Sequence, residues 1–264
     1  MYKNLEELVN TVKILRSENG CPWDKEQTHE TIRRNMLEEA YEAVDAIDDN
    51  DMPHLREELG DVLLQVLLHS QIADDDKAFN IEDVAKELNE KLIRRHPHVF
   101  GNTKVSSTDD VLKNWDDIKK QEKTHRKSAM DGISRSQTAL MSAQKISKNA
   151  VKVGFEWKCV EDLYECLFSE VKEFQEAVKN ADKENMEEEL GDMFFAMVNV
   201  ARWYKIDAEQ ALLKSNKKFM TRFRKMEELA TKPLENYTAD EYDILWKLAK
   251  QELCKTNTEK SLTK

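Results

Sequence analysis

Turn-forming residues are scarce in this chain. Six glycines and four prolines among 264 residues are too few for a many-stranded β protein or a glycine-rich dinucleotide fold. The four cysteines, Cys21, Cys159, Cys166 and Cys254, form no Cys-x-x-Cys pair, which argues against a structural zinc site. No apolar run approaches the ~20 residues of a membrane span. The N-terminal stretch MYKNLEELVNTVKIL lacks the apolar core of a signal peptide. These absences predict a soluble, cytoplasmic protein with reduced thiols. An excess of basic charge is missing as well. A net charge of −11 disfavours nucleic acid and anionic membrane as partners. A polyphosphate can still bind, through a metal ion that reverses the local charge.

What the chain does have is Glu, Lys, Leu and Ala in helical register, with 35% charged and 40% hydrophobic residues. The composition predicts an all-α fold. Apolar residues recur at helical spacing: Leu5, Leu8, Val12 and Leu15; Ile32, Met36, Ala40, Val44 and Ile47; Leu55, Leu59, Val62, Val66 and Leu67; Val84, Leu88 and Leu92. Core packing is the ordinary reason for such stripes. Pro97 ends the fourth of these helices, and Asp109 or Asp110 is expected to cap a fifth that carries Trp115 and Ile118. Residues 124–137, polar and rich in small side chains, read as a linker between an N-terminal domain, 1–123, and a C-terminal domain, 138–264. Helical patterns resume beyond it over 160–181, 183–204, 207–230 and 239–254.

The two halves repeat one another. At an offset of 131 residues, Glu39, Glu42, Glu58 and Asp61 fall on Glu170, Glu173, Glu189 and Asp192. The strings EELGD coincide, and Trp115 and Lys119 fall on Trp246 and Lys250. An Asn-x-Lys-x-x-x-Arg element, Asn89, Lys91 and Arg95, recurs as Asn216, Lys218 and Arg222 at an offset of 127. The drop from 131 to 127 is expected to reflect a short loop change.

In each copy two carboxylates sit three residues apart on one helix, and two more sit three apart on the next. Such pairs share a helix face, so two antiparallel helices can aim four carboxylates into one space. Like charges held so close need a cation, and an all-oxygen set suits a hard divalent ion such as Mg²⁺, with Mn²⁺ as a substitute. The absence of Glu-x-x-His from the quartet argues against a di-iron bundle. A single Glu-x-x-Glu is ordinarily a solvated helix face; a duplicated, paired set is not. Gly60 and Gly191, inside the motifs, cost helix stability and are expected where another backbone or a ligand approaches closely. Lys218 and Arg222, with Lys91 and Arg95 in the first copy, would supply cations for phosphate. Trp246 and Trp115 suit either base stacking or the core. A carboxylate not fully used as a ligand could take a proton from an attacking water; Glu173, its twin Glu42, and Glu189 are the candidates.

The string GCPWDKEQTHETIRRNMLEEAYEAVDAI (20–47), the duplicated acidic motifs and RRHPHVF (94–100) resemble the two-domain MazG proteins over essentially the whole chain. The resemblance implies an all-α fold with two MazG-like helical bundles of four to five helices each. It also implies a homodimer in which helices from different subunits complete the sites. The activity it implies is Mg²⁺-dependent hydrolysis of NTPs and dNTPs, with broad base tolerance, to the monophosphate and pyrophosphate. Carried over by position, the metal ligands are Glu170, Glu173, Glu189 and Asp192, with Lys218 and Arg222 on phosphate and Trp246 near the nucleotide. One departure is Ser169, which stands where the first copy has Glu38. Two alternatives remain open here: a narrower dUTP- or dCTP-type pyrophosphatase, and a non-catalytic helical module that senses nucleotides.

Overall fold

The computed structural model describes residues 2–122 and 127–262, with the side chains of Lys120 and of residues beyond 255 left aside. Among these residues there are helices and no strand. The chain divides into two compact units, Met1–Lys123 and Thr124–Lys264. Of the expected linker, residues 124–126 lie outside the described residues; 127–138 form turns without helix.

Unit 1 contains α1 (Lys3–Arg16), α2 (Pro22–Glu26), α3 (His29–Ile32), α4 (Asn35–Asp48), α5 (Met52–Asp75), α6 (Ile81–Arg95), α7 (Pro97–Phe100) and α8 (Thr108–Glu122). Its core joins α1 to α3 and α5 through Val12, Ile32, Leu67, Leu68 and Ile72. Unit 2 contains α9 (Ala139–Lys152), α10 (Val160–Lys179), α11 (Lys183–Trp203), α12 (Ala208–Leu229) and α13 (Ala239–Leu262). Met226, Leu245 and Ala249 form a core between α12 and α13. Buried Gln144 on α9 donates to Ile206 O at 2.7 Å and accepts from Ala208 N at 3.1 Å, which fixes the entry of α12.

Each acidic helix pair is turned by the same device. At the end of α4, Asn50 is left-handed (φ 56) and Asp51 N returns to Ala46 O at 3.0 Å. At the end of α10, Ala181 is left-handed (φ 52) and Asp182 N returns to Ala177 O at 3.1 Å. This is the Schellman ending of a helix. The aspartate that follows caps the next helix: Asp51 Oδ1 accepts from His54 N and Asp182 Oδ1 from Asn185 N, both at 3.1 Å. One helix ends and the next begins within three residues, so each pair runs antiparallel with its register fixed.

Three expectations need correction. The stripe Ile32, Met36, Ala40, Val44 and Ile47 enters the core only in part: Ile32 is buried and Val44 half-buried. α4 buries Ala43 and Ala46 and leaves Met36, Ala40 and Ile47 exposed, because small residues let it lie close against α5. The cap of α8 is Ser107, whose Oγ accepts from Asp110 N at 3.2 Å; Asp110 lies in the first turn and reaches back to Ser106 N at 3.0 Å. The offset change is mostly helical rather than a loop change. α11 ends at Trp203 where α5 ends at Asp75, so helix shortening accounts for three of the four residues.

Candidate metal and nucleotide site

The antiparallel register sets Glu39 toward Asp61 and Glu42 toward Glu58, and likewise Glu170 toward Asp192 and Glu173 toward Glu189. In unit 1, carboxylate oxygens of Glu39, Glu58 and Asp61 lie within 4.8 Å of one another; in unit 2 those of Glu170, Glu173 and Glu189 do. The fourth member of each set is close enough to act electrostatically. Burial, then the charges of Asp61 and Glu42, push the Glu39 carboxyl above the usual range. Burial, then Glu42, raises Glu58. Burial, then Glu173, Glu170 and Asp192, raises Glu189.

Glu58 is buried, and its Oε2 has no hydrogen-bond partner. A buried carboxylate oxygen without a partner is costly, as is mutual repulsion among acids brought together in low dielectric. A hard divalent cation relieves both, and the all-oxygen donor set fits one. The oxygens of Glu39, Glu58 and Asp61 in unit 1 and of Glu170, Glu173 and Glu189 in unit 2 could take such an ion, and the orphaned oxygen of Glu58 favours it in unit 1.

Three neighbours of these clusters escape a reading by motif. His54, one turn before Glu58, places Nε2 2.9 Å from Glu58 Oε1; Asn185 occupies that place in unit 2. Cys166 Sγ donates to Glu170 Oε1 at 3.6 Å. Glu38 stands outside its cluster and pairs with Arg34 Nε at 2.8 Å. Ser169 at the same place in unit 2 therefore removes no member of the second cluster.

The second cluster adjoins a cavity of about 430 Å³. Glu170 and Asp192 line it, with Phe155, Trp157 and Phe195 as aromatic surface and Asn199 as a buried polar group. A mostly apolar cavity with a few fixed polar groups is the usual form of a small-molecule site. The signal for it was Gly-x-x-Trp, which recurs as Gly20–Trp23 and Gly154–Trp157. The cavity of about 290 Å³ in unit 1 lies elsewhere, among Val9, Val12, Leu67 and Ile81, and includes none of its quartet.

The basic and aromatic candidates fall differently in the two units. Arg95 is engaged: Nε and Nη2 donate to Glu122 Oε2 at 3.0 and 2.5 Å, and Arg94 Nε donates to Oε1 at 2.6 Å. Lys91 is half-buried on the same helix. In unit 2, Leu253 replaces Glu122 at the repeat offset. Arg222 instead lies over the Trp246 ring, 4.9 Å from its centroid. Trp246 also meets Phe219 at 5.2 Å and packs on the Met226–Leu245–Ala249 core, so its main role in the monomer is packing. Trp115 is partly exposed beside His96, at 5.7 Å. Lys218 is exposed. Lys218, Arg222 and Trp246 do not line the cavity beside the second quartet. For Gly60 and Gly191 the approach of another backbone is not seen: among the described residues a Cβ at either would meet nothing within 4 Å.

Comparison with known proteins gives the family. The family model for the MazG nucleotide pyrophosphohydrolase domain matches residues 27–100 and again 159–226. The nucleoside triphosphate pyrophosphohydrolase/pyrophosphatase MazG of Thermotoga maritima is 48% identical over 249 residues, 93% of this chain and 95% of that protein. The nucleoside triphosphate pyrophosphohydrolase of Escherichia coli K12 is 43% identical over 85% of this chain and 88% of its own length. YabN of Bacillus subtilis is 47% identical over 95% of this chain and 52% of its own length. Two matched copies of one domain, with near full-length similarity to such relatives, place this chain in the MazG nucleotide pyrophosphohydrolase family.

Proposed function

We propose that this protein hydrolyses nucleoside and deoxynucleoside triphosphates at the α–β phosphoanhydride, with broad tolerance of the base, to give the monophosphate and pyrophosphate. The observation that carries the reading is the second carboxylate cluster opening on an aromatic cavity. Glu170 belongs to both and Asp192 lines the cavity beside it, so a phosphate chain at the cluster would place its nucleoside in the cavity.

Glu170, Glu173, Glu189 and Asp192 would hold Mg²⁺, which would supply positive charge against the phosphoryl oxygens and activate a water. The chain's own residues supply the rest. Glu189 and Glu173, which come together in the second cluster, are the groups placed to take the proton of the attacking water. Phe155, Trp157 and Phe195 offer π surface that any base can use, and the polar groups behind them are already bonded to one another. A pocket that holds a base chiefly by stacking discriminates weakly among bases.

We further infer a homodimer. Leu190, Phe194 and Met197 lie at helical spacing on α11 and are all exposed, as is Phe168 on α10. An apolar face of this kind is ordinarily covered by a partner. A second copy would also bring cations of the Lys218–Arg222 type to a site that lacks them within one unit. Unit 2 is the main catalytic centre in this reading, because its quartet adjoins the cavity of about 430 Å³, whereas the cavity of about 290 Å³ in unit 1 includes none of that unit's quartet. The test is pyrophosphate release across the eight common NTPs and dNTPs in Mg²⁺, with and without chelator. Turnover of most of them, abolished by chelation, is expected; turnover of one pyrimidine substrate alone would favour a narrow enzyme, and none at all would refute the assignment.

A further inference from the structure

The wall of the unit 2 cavity includes a segment with no helix of its own, Phe155–Trp157, between α9 and α10. Arg202, near the end of α11, holds it. Its Nη1 and Nη2 each donate to one carboxylate oxygen of Glu156 at 2.6 Å. Its Nε donates to Ser147 Oγ on α9 at 2.6 Å. Ser147 Oγ donates in turn to Asn199 Oδ1 at 2.6 Å, and Asn199 Nδ2 donates to Phe195 O at 2.9 Å. The Arg202 side chain is 9% exposed. One nearly buried guanidinium thus ties the segment to two helices, in the bidentate geometry that gives both strength and direction.

Unit 1 makes the corresponding tie with the partners exchanged. There the arginine is Arg16, at the end of the first helix, 7% exposed. It pairs with Asp75 near the end of α5 at 2.8 Å and donates to Gln27 O at 3.1 Å and to Asp24 O, in and just after α2. The same joint is thus held in both units, although the charged residues sit on different elements. A role in the bare repeat fold explains a tie at this joint. It does not explain why in unit 2 the tie carries two exposed or half-exposed aromatic rings, Phe155 and Trp157, onto the cavity beside the carboxylates.

We propose that Arg202 and Glu156 are positioning residues for the nucleoside. They hold Phe155 and Trp157 in place as a preformed stacking wall, so the wall need not be ordered when substrate binds. This rests on the nucleotide-hydrolysis reading above, and it assigns the pair to nucleoside binding rather than to phosphoryl chemistry.

The experiment compares the full-length protein with Arg202→Ala, Glu156→Gln and the exchange Arg202→Glu/Glu156→Arg. Three quantities are read: KM and kcat for ATP and GTP, the inhibition constant of inorganic tripolyphosphate, and metal-free binding of AMP by equilibrium dialysis. Arg202→Ala should raise KM about tenfold with kcat little changed and weaken AMP to a similar extent. Tripolyphosphate, which has no nucleoside, should inhibit as before. The exchange should recover part of the loss. Unchanged KM and AMP affinity would overturn the proposal. So would a parallel weakening of tripolyphosphate, or a fall in kcat alone. Should Arg202→Ala not fold, as read by its melting curve, Glu156→Gln keeps the side-chain volume and carries the same comparison. Failure of the wild type to release pyrophosphate would refute the hydrolysis reading, while AMP dialysis still decides the tether.

Discussion

Nε2 of His54 lies 2.9 Å from Oε1 of Glu58, one helical turn away, while the other oxygen of that carboxylate is buried without a partner. Unit 2 offers Asn185 at the same place. The first quartet therefore carries a histidine donor on Glu58, and the second has none at the matching position, its own donor being Cys166 on Glu170.

His54→Asn, which copies unit 2, should tighten Mn²⁺ binding at the first quartet several-fold, because Glu58 Oε1 no longer has a hydrogen bond to give up. Titration calorimetry in a Glu173→Gln background isolates that site. Unchanged or weaker binding would mean that His54 orients Glu58 for the metal rather than competing for it.

Gly191 faces open space beside the second cluster. Gly191→Ala should raise the stability of unit 2 by about 0.5–1 kcal/mol, since the helix gains propensity and nothing in the unit is displaced. Thermal melting measures this. If stability rises and pyrophosphate release falls together, the space is used by substrate or by a second copy. A drop in stability would contradict the open geometry.

Ala181 holds a left-handed backbone at φ 52, as Asn50 does in the first turn at φ 56. That conformation costs an alanine about 1 kcal/mol relative to glycine, part of which returns through the greater freedom of an unfolded glycine. Ala181→Gly should therefore be neutral to mildly stabilising, and Asn50→Val clearly destabilising. Chemical denaturation of each variant checks the pair.

The two arginines on Glu122, chiefly Arg95 by its hydrogen bonds and then Arg94, hold that carboxyl at about 2 against 4.5 for a free one. A carboxyl lower in the folded state than in the unfolded state contributes stability above the unfolded value, and the contribution fades as pH falls from about 4.5 toward 2. Glu122→Gln should flatten the loss of stability across that acid window. Melting curves at several pH values report it. An identical acid slope in the variant would show that the pair contributes little.

Composition carried the all-α class, and motif spacing carried the three-carboxylate cluster of each unit, because residues three apart on a helix must share a face and Glu39, Glu58 and Asp61 have no freedom to separate once the hairpin forms. Other features depend on contacts that spacing does not encode. Ala43 and Ala46 enter the core in place of larger neighbours because α4 lies close to α5. The cavity draws Ser147, Phe155, Asn199 and Arg202 from separate elements, as far apart in sequence as Ser147 and Arg202. Its one trace in sequence is the repeated Gly-x-x-Trp. The partners of Arg95 and Arg222 also differ. Replacement of Glu122 by Leu253 leaves the repeat's Lys/Arg element intact while changing what the arginine meets.

The central claim is that hydrolysis occurs chiefly at the second quartet. Two full-length variants test it most directly, Glu42→Gln/Asp61→Asn and Glu173→Gln/Asp192→Asn, each assayed for pyrophosphate release from NTPs in Mg²⁺. The account predicts substantial activity in the first and a loss of about 100-fold or more in the second, as expected when a metal site is dismantled. Full activity in the second variant, with loss in the first, would contradict it.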